Sequence, residues 1–147
     1  MIQLTVSRVG RMTLGLLLAY WSLAFIGTHL PGTTVESLKR GWMLSLPHAD
    51  KVAHALLYAG LSFLLVGCLR VLGKLGQSSS ITLSFAIASF YGIVDEYLQS
   101  FIPRRSMDVA DWMADNLGAV IGIGSFVLIA QVWSTWKTQA PLPTANS

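Results

Sequence analysis

Residues 52–72 read VAHALLYAGLSFLLVGCLRVL, an apolar stretch in which Arg70 is the one permanently charged side chain. A helix that crosses a bilayer needs roughly 20 mostly apolar residues, so this stretch predicts a transmembrane helix. Comparable apolar stretches run over about 12–30, 81–98 and 113–133. Together they predict an all-α, polytopic membrane protein, an antiparallel bundle of four transmembrane helices.

The composition also favours a membrane protein. The chain is 53% hydrophobic and 12% charged, whereas a soluble domain carries about 25% charged residues. A large core cannot explain this deficit, because a chain of 147 residues keeps much of its surface exposed. The net charge of +3 includes no long basic cluster, so no nucleic-acid partner is predicted. Cys68 is the single cysteine, which excludes an intrachain disulfide.

The chain is one domain-sized unit with a short segment at each end. Residues 12–136 form the predicted membrane domain, 1–11 a cytoplasmic N-terminal segment and 137–147 a disordered tail. Residues 33–46 could form an interfacial helix with Trp42 at headgroup depth. The first span could instead be a cleaved signal peptide. Its apolar region is long and lacks a convincing cleavage site, so we expect it to be retained.

Acidic residues are confined to one side of the predicted membrane. If the four stretches span it, all seven acids fall on the same face: Glu36, Asp50, Asp95, Glu96, Asp108, Asp111 and Asp115. Lys and Arg are divided equally between the faces, so the positive-inside rule alone does not orient the chain. Arg8 and Arg11 flank the first helix, which usually dominates. We therefore expect both termini in the cytoplasm and the acidic face outside.

The second span begins on this acidic face with three polar residues at helical spacing. Asp50, His54 and Tyr58 are four residues apart, so they lie on one side of a helix. Asp50 suits a helix N-cap. His54 could either serve a functional site or simply hydrogen-bond to a neighbouring helix.

The third span ends on the same face, because consecutive membrane helices run antiparallel. One stripe of its surface carries Ser89, Gly92, Glu96 and Gln99. Glu96 lies deeper than a loop residue, and ionisable groups at such depth usually face a bundle interior or a wet cavity. Asp95 points about 100° away from this stripe, and we expect it to contribute only surface charge.

The fourth span begins with aspartates on one helix face. Asp108, Asp111 and Asp115 follow i, i+3, i+7 spacing. Three carboxylates in line repel one another unless a cation lies among them. That cation could be Lys51, Arg104, Arg105 or a metal ion, to which His54 could add a nitrogen ligand. The spacing matches no specific metal motif, so no metal site is predicted.

Glu96 of the third span could simply be neutralised by Arg104 or Arg105.

A Gly118-x-x-x-Gly122 pattern continues the face of Asp111 and Asp115 into the fourth span. Small residues at this spacing let two membrane helices approach closely. We expect packing against the second or third span, which would draw the polar ends together.

These pieces resemble, in their order and placement, the VanZ-like family of bacterial membrane proteins. The matching motifs are Asp50-Lys51-x-x-His54-x-x-x-Tyr58, Glu96-x-x-Gln99, Arg105-x-x-Asp108-x-x-Asp111, and Gly118 with Gly122. The family often has Asn four residues after the second Asp, where this chain has Asp115.

The resemblance implies a multi-pass protein of the bacterial cytoplasmic (inner) membrane and cell envelope. It also implies a link to lowered susceptibility to the glycopeptide antibiotic teicoplanin, without supplying a reaction. Expected partners are membrane lipids and a lipid-linked cell-wall precursor or glycopeptide. The sequence does not determine whether a cofactor is bound or which oligomeric state is adopted.

Three functions compete at the sequence level. The first is an accessory protein that binds or modulates a lipid-linked or cell-wall component. The second is an enzyme acting on a lipid-linked substrate, with His54, Glu96 and Asp111 as catalytic candidates. The third is a small ion or proton carrier using Glu96. The expected ligand-binding residues are Asp50, Lys51, His54, Tyr58, Glu96, Gln99, Arg104, Arg105, Asp108, Asp111 and Asp115.

Overall fold

The computed structural model describes residues 8–41 and 48–139, and these residues form helices and turns with no β-strand. The helices, in chain order, are α1 (Arg8–Thr28), α2 (Gly32–Gly41), α3 (Ala49–Val71), α4 (Gln77–Gln99) and α5 (Val109–Gln139). Four of them, α1, α3, α4 and α5, are long and apolar enough to cross a membrane. The prediction of an all-α protein with four membrane-spanning helices is confirmed.

Helix α3 lies at the centre of the bundle and contacts α1, α4 and α5. Consecutive spans reverse direction, so α3 and α5 run parallel to each other. Their contacts keep one register along the helices: His54 meets Asp115 near the start, and the Phe63 ring packs against Phe126 farther along. Residues at the same depth on α3 and α5 therefore lie side by side.

Two glycines make the α3–α5 interface close. Gly118 faces the backbone carbonyl of Ala55, and Gly122 faces that of Ala59, one helical turn farther along. A methyl group at either glycine would overlap the α3 backbone. The expected role of the GxxxG pattern is confirmed, and its partner is the second span.

Helix α1 packs across both α3 and α4. The Tyr20 hydroxyl donates a hydrogen bond to the Leu57 carbonyl at 3.0 Å, and its ring lies over Gly60. Trp21 contacts Tyr91 of α4 edge-on, with ring centroids 5.0 Å apart. The end of α1 is thereby held beside the ends of the helices that carry the polar residues.

Large apolar side chains cover the outer surface of the bundle. Leu23, Leu56, Phe90 and Leu128, one from each long helix, are exposed. A soluble monomer rarely exposes contiguous apolar surface of this kind. On membrane-spanning helices the same side chains face lipid chains.

Helix α5 is longer than the predicted span 113–133. Its 31 residues extend about 46 Å at 1.5 Å per residue, whereas the hydrocarbon core is about 30 Å thick. The predicted span included only apolar residues. The polar first turns of α5 are also helical, because α3 supplies partners for their side chains. At its other end α5 reaches Gln139, inside the predicted tail 137–147; residues 140–147 lie outside the described residues.

Helix α2 covers the first part of the predicted interfacial helix 33–46, while Trp42 lies outside the described residues. The start of α2 is tied to the α4–α5 connection, because the Gly32 amide donates to the Pro103 carbonyl at 3.3 Å. A Cβ on Gly32 would lie 2.6 Å from the Arg104 carbonyl oxygen. This close approach brings α2 over the polar end of the bundle.

Replacing Gly122 with Leu should destabilise the protein by at least about 1–3 kcal/mol, the usual cost of overpacking, because the new side chain overlaps the α3 backbone. Gly124→Leu is the matched control in the same helix, since no residue of another helix lies within 4 Å of where a Cβ would stand on Gly124. The measurement is the thermal unfolding midpoint in detergent. Equal midpoints for the two variants would contradict the close α3–α5 interface.

Candidate functional site

The start of α3, the end of α4 and the start of α5 meet at one end of the bundle and enclose a cavity of about 460 Å³. Helix α2 and the end of α1 complete its wall. Most of the predicted site residues line the cavity: Asp50, His54, Gln99, Arg104, Arg105, Asp108 and Asp111. The arrangement brings together side chains far apart in the chain; Thr28 and Asp95, for example, are 67 positions apart and hydrogen-bonded.

His54 and Asp115 form a buried pair at the base of this site. The His54 Nδ1 and Asp115 Oδ1 atoms are 2.9 Å apart, and the two residues are 4% and 0% exposed. A carboxylate accepts hydrogen bonds, so Nδ1 carries a proton, and Nε2 has a lone pair whenever the ring is neutral. Nε2 has no hydrogen-bond partner among the described residues, and His54 lines the cavity. Its lone pair is therefore free to meet a ligand.

Glu96 joins the end of α4 to the start of α5. Its Oε2 accepts the backbone N–H of Asp108 at 2.7 Å, and its Oε1 lies 3.5 Å from the Gln99 side-chain nitrogen. Glu96 is 2% exposed, which confirms its expected depth. The alternative in which Arg104 or Arg105 neutralises Glu96 is wrong. Arg105 donates instead to Gln99 Oε1 at 2.9 Å, and Arg104 is exposed.

Lys51 is the cation between two of the aspartates. Its Nζ lies 2.8 Å from Asp108 Oδ2 and 2.9 Å from Asp111 Oδ1, with Asp50 at 3.5 Å. Of the candidate cations weighed from sequence, Lys51 therefore holds the outer aspartates together. Asp115 lies one turn deeper and pairs with His54 instead.

The hydrogen bond from Lys51 holds the pKa of Asp108 below its usual value, and the Ala110 amide, which donates to Asp108 Oδ1 at 2.8 Å, acts in the same direction. The Ala110 bond is also a helix N-cap for α5. Asp108 thus serves as cap and as ion-pair partner at once.

Asp95 is not the surface charge that its position on the helix suggested. It is 0% exposed and accepts hydrogen bonds from Thr28 Oγ1 at 3.1 Å and Gln99 Nε2 at 2.9 Å. His29 of the α1–α2 connection also lies 3.6 Å away. The expectation was wrong because α1 covers this face of α4. The sequence of α4 does not indicate that α1 packs against this face, and no feature of the sequence pointed to Thr28.

Tyr58 lies one turn below His54, in the core rather than at the cavity. It is buried and stacks on Tyr91, with ring centroids 6.0 Å apart. Lys51, Glu96 and Asp115 likewise are not among the residues that line the cavity. The structure therefore separates the predicted residues into a lining and a supporting layer.

A second, apolar groove of about 230 Å³ lies next to the polar cavity. It is lined by Ile93, Glu96, Met107, Asp108, Val109 and Trp112. The Trp112 indole donates to the Ser89 carbonyl at 3.2 Å, which fixes its ring against α4. Asp108 lines both the cavity and the groove.

The fold and site define a small membrane-spanning helical bundle with a polar cavity at one membrane face. The VanZ/LLP1 family model matches residues 12–130, so the chain belongs to this family. No curated protein and no solved structure matches the chain.

Replacing Asp108 with Asn should lower the unfolding midpoint at neutral pH, because Asn keeps the N-cap but loses the charge that pairs with Lys51. A lowered pKa in the folded state means that the charge stabilises above the ordinary Asp pKa of about 3.9. This stabilisation is lost as the pH falls through the folded-state pKa. The difference between wild type and variant should therefore shrink on acidification.

Thermal unfolding in detergent between neutral and strongly acidic pH measures this difference. Glu36→Gln is the control, because Glu36 is an exposed acid that is not one of the carboxylates paired with Lys51. A wild-type-to-Asp108→Asn difference that stays constant with pH would contradict the ion-pair assignment.

Proposed function

We propose that the chain binds the polar headgroup of a lipid-linked component of the bacterial cell envelope. One observation carries the proposal: a polar cavity and an apolar groove meet at Asp108. A lipid-linked molecule needs such a pair of adjoining surfaces, one for its headgroup and one for its chain. The cavity volume of about 460 Å³ is within the usual range for ligand pockets, about 300–1,000 Å³.

The cavity lining holds two arginines and four acids, Glu36, Asp50, Asp108 and Asp111. Three of these acids lie within 3.5 Å of the Lys51 ammonium, and the two arginines favour an anionic headgroup. Arg105 donates to the neutral oxygen of Gln99, and neither Arg104 nor Arg105 forms a salt bridge with a carboxylate in the described part of the chain. A guanidinium binds phosphate or carboxylate through paired N–H groups. Phosphate- and carboxylate-bearing headgroups are therefore the favoured class.

The groove suits the apolar chain of the same molecule. Ile93, Met107 and Val109 are exposed there and contribute mostly carbon surface. An acyl or polyprenyl chain lying against them would enter from the surrounding bilayer. The headgroup would then rest in the cavity beside the helix ends.

The proposed location is the bacterial inner membrane, with both termini in the cytoplasm and the cavity on the outer face. Arg8 and Arg11 at the start of α1 support this orientation. A site on the outer face would meet lipid-linked cell-wall precursors. Binding of such precursors would account for the teicoplanin link that the family resemblance implies.

A second candidate function is an enzyme acting on a lipid-linked substrate. The buried His54–Asp115 pair favours it, because a carboxylate on Nδ1 orients the ring and stabilises its protonated form. Nε2 could then take a proton from a substrate hydroxyl or a water molecule. Glu96 would be the second acid–base group of such a site.

Replacing Arg105 with Gln should weaken binding of a polyprenyl phosphate at least tenfold, since a hydrogen bond to a charged group contributes about 1.5–3 kcal/mol. Microscale thermophoresis in detergent measures the affinity, with the uncharged polyprenol as the reference lipid. Arg70→Gln is the control, because Arg70 is exposed at the opposite end of α3. Equal affinity for the two lipids would overturn the proposal.

A cysteine replacing Ser106 should react with a membrane-impermeant maleimide added outside intact cells, because Ser106 is exposed beside the cavity. Ser78→Cys is the control at the opposite end of α4 and should react only after the cells are opened. The native Cys68 is buried and should give little background. The reverse labelling pattern would invert the proposed orientation.

A further inference from the structure

We propose that His54, Glu96 and Asp111 bind a divalent metal ion through His54 Nε2 and one oxygen of each carboxylate. Each of the three residues is buried, and one ring nitrogen of His54 and one oxygen of each carboxylate lie within 4.8 Å of one another. Nε2 is the nitrogen assigned to the ion because Nδ1 bonds to Asp115. Closing onto an ion with bonds of about 2.1 Å requires each side chain to shift inward by less than about 1 Å. The binding of the ion does not depend on the proposed function. Only the role of the ion, contact with the headgroup, rests on it.

His54 makes this more than a cluster of acids. It is 4% exposed and lines the cavity, and its Nε2 has no hydrogen-bond partner among the described residues. Its Nδ1 donates to Asp115 Oδ1 at 2.9 Å. Metal-binding histidines almost always donate their other ring N–H to a carboxylate or carbonyl, which fixes the ring and makes the ligand more basic. Asp115 would be this positioning residue.

The charges around the site also call for a cation. Glu96, Asp111 and Asp115 are buried carboxylates, and burying a charge is costly unless it is paired. Lys51 pairs with Asp111, but no salt bridge from a Lys or Arg reaches the other two in the described part of the chain. A divalent ion would offset the charge that remains.

The donor set selects the kind of ion. One imidazole nitrogen and two carboxylate oxygens suit Zn²⁺ or Mn²⁺, whereas Ca²⁺ and Mg²⁺ prefer oxygen alone. Three protein ligands leave at least one coordination position open toward the cavity. A phosphate oxygen of the headgroup could occupy that position with Arg105 nearby. His54 Nε2 would then be a ligand and no longer a free base, which separates this site from the acid–base enzyme described above.

The full-length protein in detergent, stripped with EDTA and dialysed, is titrated calorimetrically with ZnCl₂ or MnCl₂. The expected result is one ion per chain with a micromolar or lower Kd for one of the two metals. His54→Ala and Glu96→Gln should each weaken binding at least about 100-fold. Asp115→Asn should weaken it about 10- to 100-fold, the usual effect of removing an outer-shell partner. Thermal unfolding checks that each variant is folded.

Arg70→Gln is the control, because Arg70 is exposed at the opposite end of α3, away from the cavity; its affinity should equal that of wild type. Unchanged affinity in folded Asp115→Asn and Glu96→Gln would overturn the site, as would no binding below about 100 µM in wild type. The Asp115 variant keeps the shape of the side chain, so it remains informative if His54→Ala does not fold.

Lipid binding without metal separates the two proposals. If wild-type protein binds one ion but does not distinguish polyprenyl phosphate from polyprenol, the headgroup proposal fails and the metal site stands. If it binds polyprenyl phosphate selectively in EDTA and binds neither metal, the metal site fails and the headgroup site stands.

Discussion

The close parallel packing of α5 on α3 is the constraint on which the site depends. Gly118 and Gly122 let the α5 backbone approach the carbonyls of Ala55 and Ala59. In lipid no hydrophobic force drives helices together, so such close van der Waals contact supplies much of the stabilisation of helix packing. The same contact sets the register that brings His54 level with Asp115.

Many of the polar residues at the helix ends bond to one another, while buried atoms such as Asp115 Oδ2 and His29 Nε2 have no partner among the described residues. Glu96 accepts the amide at the start of α5, and Asp108 caps that helix while pairing with Lys51. An unpaired polar group at this depth would cost several kcal/mol. Among the described residues that line the cavity, His54 Nε2 has no hydrogen-bond partner and Arg105 has no carboxylate partner, so both can meet a ligand. The network is therefore both a structural element and a preorganised cavity wall.

Helical spacing predicted which side chains of one helix share a face, because it depends on one helix at a time. The Asp50–His54–Tyr58 face and the stripe ending at Glu96 and Gln99 follow from 3.6 residues per turn. Antiparallel connection then placed these ends at one membrane face. Asp95 was misjudged because its environment is a second helix, α1, whose packing has no signature within α4.

The sequence by itself determined the class: apolar length specified four spans, and the placement of the acids specified one polar face. Both depend on local hydrophobicity and chain connection. The tertiary structure decided the partners: Lys51 with Asp108 and Asp111, His54 with Asp115, and Asp95 with Thr28. Pairing depends on the relative rotation and depth of packed helices. Those quantities arise from contacts between distant segments, and no single segment encodes them.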